Sequence, residues 1–360
     1  GFTTFALLYF VQSLLPVFAA YFEVSPAASS LALSATTGVM AFSLLLSGIV
    51  SDVFGRKRIM VISLLSSSIL TIVMATVTRW SDLLLVRLVM GASLSGVQGV
   101  AMAYLAEESD KRSFGVSLGL FISGGAIGGL VGRLGISVVA DQFGWRAATA
   151  TMGAIALLAS LYFWRMLPPS KNFVRSSPNR KVLLSGIATI LRDRVFVLLY
   201  VLGFLLMGGF VTTYNYITFR LAEPPFSFSH SVIGLVFLVY LAGIVGSPVI
   251  GGLSSRVGPS NVLWAMLALM LLGLGLTLSD LWPFTLLGLA VLTFGFFSGH
   301  AVASGWVSRR AERNRALAAS LYLFTYYQGS SIVGTSGGVF WQRWHWPGVV
   351  ALTGTLALIG

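Results

Sequence analysis

Cysteine is absent, which excludes a disulfide framework, a thiolate nucleophile and any cysteine-ligated metal. Histidine is nearly so: His230, His300 and His345 are too scattered to form a metal cluster. Charge is scarce as well. Only 9% of residues are charged, against about 25% in soluble domains, so the chain is not built for water. The eleven acids are Glu23, Asp52, Asp82, Glu107, Glu108, Asp110, Asp141, Asp193, Glu223, Asp280 and Glu312. All fall at or near the ends of apolar runs, and none lies in the middle of one. With no paired carboxylate, nucleophile constellation or metal cluster, neither an enzyme nor a cofactor is expected. No Gly-x-x-x-x-Gly-Lys-Ser/Thr loop occurs, which argues against an ATP-driven pump in this chain.

What is present is apolar sequence. Hydrophobic residues make up 56% of the chain, and forty glycines suit close packing of membrane helices. Twelve apolar runs can be marked, near 1–22, 31–50, 58–78, 82–105, 114–139, 146–167, 195–221, 231–253, 262–279, 283–307, 315–340 and 346–360. About twenty residues span a bilayer, so the fold class is an all-α integral membrane protein with twelve transmembrane helices. The first run begins without a charged flank and the last has fifteen residues, so both ends read as trimmed. Gln12 and Pro16 inside the first run, and its lack of a basic start, argue against a signal peptide. The longest connection, 168–194, is rich in Pro, Ser, Lys and Arg. It divides the chain into a bundle at 1–167, a basic linker and a bundle at 195–360. A surface helix within the linker, near 182–191, would lay a basic face on anionic lipid.

The net charge of +12 could suggest nucleic acid, but its placement argues otherwise. Seventeen of the 23 cations lie in the loops after the even-numbered runs and the linker, and four lie in the opposite loops. Arg87 and Arg133 fall inside runs. This asymmetry encodes membrane orientation and predicts that the even loops and both termini are cytoplasmic.

An ungapped shift of 203 residues superposes the two halves. Gly48 falls on Gly251, Gly55 on Gly258, Gly96 on Gly299, Arg112 on Arg315 and Phe121 on Phe324. The halves are therefore expected to be parallel repeats. The second copy has lost charge: Asp52 aligns with Ser255, Arg56 with Pro259 and Lys57 with Ser260.

The charged copy, Gly48-x-x-x-Asp52-x-x-Gly55-Arg56-Lys57, sits between the second and third runs. It resembles the loop motif of the major facilitator superfamily of transporters. Arg87-Leu-Val-Met-Gly91 resembles that superfamily's fourth-helix motif, in which the arginine is linked to proton coupling; the alternative is an arginine snorkelling to the interface. Gly124-Gly125-x-x-Gly128-Gly129 resembles the fifth-helix signature of the antiporter branch, with Gly125 where that signature has proline. Its alternative is ordinary small-residue packing. Phe204-Leu-Leu-Met207, the stretch from Ser320 to Ser331, and Gly337-Gly338-Val339-Phe340-Trp341 are similar to the YnfM-like, acriflavine-sensitivity branch of bacterial inner-membrane drug/proton antiporters. The resemblance implies two six-helix bundles, alternating access, location in the bacterial inner membrane and efflux of small amphipathic compounds.

Candidate residues follow. Gly48, Asp52, Gly55, Arg56 and Lys57 would form a cytoplasmic latch, Asp52 holding the outward-facing state against a helix of the other half. Arg87, Asp82, His300 and Glu23 are the candidates for proton coupling. Tyr9, Gln12, Arg133, Tyr214, Asn215, Tyr322, Tyr326, Tyr327 and Gln328 would line a substrate cavity, because polar groups deep in apolar helices should face protein or water. Arg133 would line the outer cavity or snorkel. The expected function is proton-coupled efflux of a small organic, amphipathic or drug-like solute by a monomer in contact with membrane lipid. Export of a sugar or other neutral metabolite is the alternative, suited to a lining without acids, and a receptor without flux is a further one.

Overall fold

A computed structural model describes residues 1–110, 113–173, 180–311 and 315–360. Among these the secondary structure is helical throughout, with no strand. The first half contains α1 (Phe2–Tyr21), α2 (Pro26–Phe54), α3 (Arg56–Met74) and α4 (Trp80–Glu108). A helical stretch from Phe114 to Met166 follows and bends at Gly144, where φ is +79°; its arms are α5 (114–143) and α6 (145–166). The connection contains α7 (Arg180–Arg192), the amphipathic helix anticipated near 182–191. Residues 174–179 of that connection, together with Lys111, Arg112, Glu312 and Arg313, lie outside the described residues.

The second half repeats the order with α8 (Arg194–Ala222), α9 (His230–Val257), α10 (Pro259–Leu276) and α11 (Trp282–Arg310). The stretch Arg315–Ile359 bends at His345, φ +48°, giving α12 (315–344) and α13 (346–359). Nine helices among the described residues are long and apolar enough to cross a membrane, α5 and α6 being taken as one. Many of their large apolar side chains, such as Leu120, Tyr162, Leu198, Val245 and Trp264, point outward. That would be a liability in water and is the proper surface in lipid.

Local chemistry sets the ends of the helices. Ser25 caps α2 by accepting from the Ala28 N–H at 3.1 Å, with Pro26 in the first turn, so α2 starts five residues before its apolar run. Asp193 caps α8 through the Val195 N–H at 3.0 Å. Gly55 ends α2 at φ +94° and ψ 142°, and Gly258 ends α9 at φ +94° and ψ 137°. These glycines are 203 residues apart, and only glycine takes that backbone conformation without strain. The repeat inferred from sequence is therefore present in the backbone geometry.

Two short 3-10 turns interrupt the membrane helices, Phe10–Leu14 within α1 and Phe237–Val239 within α9. Such turns shift the carbonyls out of the regular ladder and free them for other partners. Both matter below.

Candidate functional site

The basic loops mark one end of the molecule, here the basic end; the opposite is the far end. Polar contacts between the two halves lie at the midpoint or towards the far end. Ser231 Oγ donates to Asp141 Oδ2 at 2.7 Å at the far rim, and Ser331 Oγ donates to the Ser34 carbonyl at 2.7 Å. Gln328 Nε2 reaches the Gly38 carbonyl at 3.4 Å, and Ser330 Oγ pairs with Thr37 at 3.4 Å. Small residues make the seal possible: a Cβ on Gly338 would strike Ala27, and one on Gly234 would come within 2.6 Å of the Ser137 Cβ. Among the described residues, no hydrogen bond or ion pair joins loops of the two halves across the basic end.

The charged loop motif is satisfied within its own half. Arg56 Nη1 meets Asp52 Oδ1 and Ser51 Oγ, both at 2.5 Å, and Arg56 Nη2 meets Glu107 Oε1 at 2.8 Å. Lys57 Nζ donates to the Leu167 carbonyl. Gly48 has open space around it. Among the described residues Asp52 thus has no partner in the second half, and Glu107 is a member of the cluster that motif spacing does not reveal.

Arg87 sits about seven residues into α4 from the far end and is completely buried. Its Nε donates to the Ala32 carbonyl at 2.6 Å, Nη1 to Leu7 at 3.2 Å and Nη2 to Leu8 at 2.9 Å. The Leu7 and Leu8 carbonyls lie just before the 3-10 turn of α1, where they can accept from outside the helix. Arg87 therefore ties α1, α2 and α4 together and does not snorkel. Asp82 and Glu23 lie at far-end turns, Asp82 beside Ser81 and Glu23 at φ +52°.

His300 lies on α11, towards the basic end. Its Nδ1 is 3.0 Å from the Tyr322 hydroxyl, and its ring is 4.5 Å from that of Tyr326. Tyr326 contacts Tyr327 ring to ring, 5.3 Å between centroids. Tyr214 is bonded to Thr293 at 2.5 Å within the second half, and its ring packs against those of Tyr240 and Phe237.

Arg133 is where the halves meet. It lies about ten residues, roughly 15 Å, from the Gly144 bend, which is half the thickness of a bilayer core. The residue is only 2% exposed. Nε donates to Gln12 Oε1 at 2.8 Å, and Nη1 donates to the Gly129 carbonyl at 2.8 Å. The guanidinium lies 4.5 Å from the ring centre of Tyr9, 4.8 Å from Tyr240 and 5.1 Å from Phe237. Gln12 in turn donates through Nε2 to Asn215 Oδ1 at 2.8 Å. Gln12 and Asn215 are 203 residues apart, so they are equivalent positions of the two repeats, bonded to each other.

The glycine face of α5 makes this arrangement possible. A Cβ on Gly128 would collide with the Phe2 carbonyl, one on Gly125 would fall 2.8 Å from the Phe5 ring, and one on Gly132 would fall 2.9 Å from the Ala6 Cα. Gly124 faces the Phe2 N–H, and Gly129 lends Arg133 its carbonyl. With α1 seated this closely, Tyr9 and Gln12 reach Arg133. The 3-10 turns of α1 and α9 both adjoin the cluster, one containing Gln12 and the other Phe237. Tyr9, Gln12, Arg133 and Asn215 are among the nine residues that the sequence predicts to line one cavity. That prediction misses Phe237 and Tyr240, and it misses that the 203-residue shift pairs Gln12 with Asn215.

Comparison with known proteins places this geometry. The family model described as Major Facilitator Superfamily matches residues 1–223 and 223–360. The inner membrane transport protein YnfM of Escherichia coli (strain K12) is 45% identical over 359 residues, covering 100% of this chain and 86% of that one. An MFS-type transporter, YybF, of Bacillus subtilis (strain 168) is 42% identical over 359 residues, covering 100% and 89%. In fold, the chain is similar to the crystal structure of the nucleoside transporter NupG, with a TM-score of 0.80 at 17% identity over 99% of this chain and 94% of that one. The chain belongs to the major facilitator superfamily, a multi-pass membrane protein whose work is secondary transport of a small solute rather than catalysis.

Proposed function

We propose that this chain exports a small organic solute in exchange for protons, its halves (1–167 and 195–360, joined by the basic linker) rocking about the cluster at Arg133. The observation that carries the reading is one-sided closure: among the described residues the halves are bonded to each other at the far end and not across the basic end. With the basic loops in the cytoplasm of a bacterial inner membrane, this conformation faces inward. The motif at Asp52 and Arg56 is then a latch in its released state, bonded within one half and free to meet the other when the basic end closes. The row of His300, Tyr322, Tyr326 and Tyr327 supports proton coupling, because it sets a titratable ring against a run of hydroxyl-bearing side chains. A second reading, export of a neutral metabolite, draws support from the tyrosine and amide side chains of the same cluster.

The test is flux in proteoliposomes across an imposed pH gradient, with a panel of anionic, neutral and cationic compounds. Gradient-dependent movement of at least one compound is expected. Flux that ignores the gradient would end the coupling reading, and no flux of any compound would end the transport reading.

A further inference from the structure

Hydrogen-bonding capacity around Arg133 is unbalanced. Of its five N–H donors, Nε and Nη1 have partners, and among the described residues Nη2 makes no hydrogen bond. Among the described residues, the buried Asn215 Nδ2 and the buried Tyr240 hydroxyl make no hydrogen bond. The nearby side-chain acceptors are already used: Gln12 Oε1 by Arg133 and Asn215 Oδ1 by Gln12. No carboxylate pairs with Arg133, since the ion pairs among the described residues involve Arg56, Arg220 and Arg310. A buried cation with spare donors and no counter-charge is costly on its own. The missing complement is an acceptor that carries negative charge.

The location adds to this. Arg133 belongs to the first half, Asn215 and Tyr240 to the second, so an anion held by all three would touch both halves at the membrane midplane. The repeat equivalent of Arg133 is Ser336, so the charge is on one side only and sequence symmetry does not require it. The rings of Tyr9, Phe237 and Tyr240 offer apolar and edge contacts to a hydrocarbon or aromatic body beside the charged head.

We infer that the cargo is a small organic carboxylate, whose anionic head is held by the Arg133 guanidinium, the Asn215 amide and the Tyr240 hydroxyl. The inference rests on the transport reading above and narrows its cargo from amphipathic solutes in general to acids. In the present conformation the rings close over the guanidinium, and the carboxylate displaces part of that cover as the halves move. Asn215 and Tyr240 then gain the acceptor they lack, which makes the occupied cluster the bridge between the halves.

The experiment compares matched acids and amides on the purified full chain: benzoate with benzamide, phenylacetate with phenylacetamide, and octanoate with octanamide. Tetraphenylphosphonium serves as the cation. Thermal stabilisation and counterflow in proteoliposomes are both read. At least one acid should stabilise the wild type in a concentration-dependent way, with its amide and the cation weaker by roughly tenfold or more. Arg133→Gln should abolish that preference and Arg133→Lys should keep part of it. Asn215→Asp supplies an internal carboxylate and should raise the resting melting temperature while losing acid binding, which keeps the inference testable if Arg133→Gln misfolds. Equal stabilisation by amides or the cation, no response to any acid, or an unchanged acid preference in Arg133→Gln would overturn it. If the wild type moves a neutral or cationic compound, and Arg133→Gln moves it equally, transport stands and the carboxylate assignment falls. Absence of counterflow for every compound would instead count against the transport reading.

Discussion

Arg87 and Arg133 are both buried arginines in the first half, and among the described residues neither has a carboxylate partner. They differ in what surrounds them. Arg87 spends its donors on the carbonyls of Ala32, Leu7 and Leu8, all within one half. Arg133 has one side-chain acceptor, one carbonyl and three aromatic rings, and it sits beside unpartnered donors of the other half. A buried charge whose three guanidinium nitrogens all reach backbone carbonyls is a fastener. One left short of acceptors at a moving interface is a place for a ligand.

Breaking the fastener should give the largest loss of stability. Arg87→Met strips donors from three buried carbonyls and should cost about 3 kcal/mol, read as a fall in the melting temperature of the purified protein. The glycine face ranks next. Gly128→Val would press against the Phe2 backbone, which cannot turn aside, and should cost about 2 kcal/mol while separating Gln12 from Arg133. The outcome is checked by melting temperature together with acid-dependent stabilisation, both of which should fall. Asp52→Asn removes a partly exposed pair with Arg56, so stability should change by only about 0.5 kcal/mol. Its effect should appear in flux, which should slow with the protein still inserted; unchanged flux would make the loop a topology signal alone.

The smallest effect is expected at the linker. The Arg310 guanidinium, 2.6 Å away, holds the Asp193 carboxyl below its ordinary value of 3.8. A lowered folded value means that the contribution is present above pH 3.8 and is lost as pH falls through the lower folded value. The melting-temperature difference between wild type and Asp193→Asn should therefore shrink as pH drops from neutrality to below 3.8, and it should be small throughout because the pair is exposed.

Much of the frame was legible before any coordinates. Apolar run lengths located the helices, and the 203-residue shift anticipated the matching glycines at Gly55 and Gly258. Boundaries moved where local chemistry outweighed hydropathy: Ser25 and Pro26 start α2 early, and the expected loop between the fifth and sixth runs is reduced to a bend at Gly144. The cluster was legible only in part. Polar residues in apolar helices stand out, so Gln12, Arg133 and Asn215 are legible as members of one cavity lining, but their bonds to one another are not. Phe237 and Tyr240 look like any aromatic in a membrane helix, and only the crossing of α5 and α9 brings them to Arg133. The 3-10 turn that turns Leu7 and Leu8 towards Arg87 has no sequence signature, so the same chemistry that pins Arg87 also hid its role.

The distinction between the two arginines rests most directly on one measurement, the melting temperature of Arg133→Gln without added solute, run beside wild type and Arg87→Gln. Glutamine keeps an N–H for Gln12 and removes an unpaired buried charge, so Arg133→Gln should melt at or above the wild-type temperature while Arg87→Gln melts well below it. A fall in Arg133→Gln as large as that of Arg87→Gln would make Arg133 a second fastener and contradict the account.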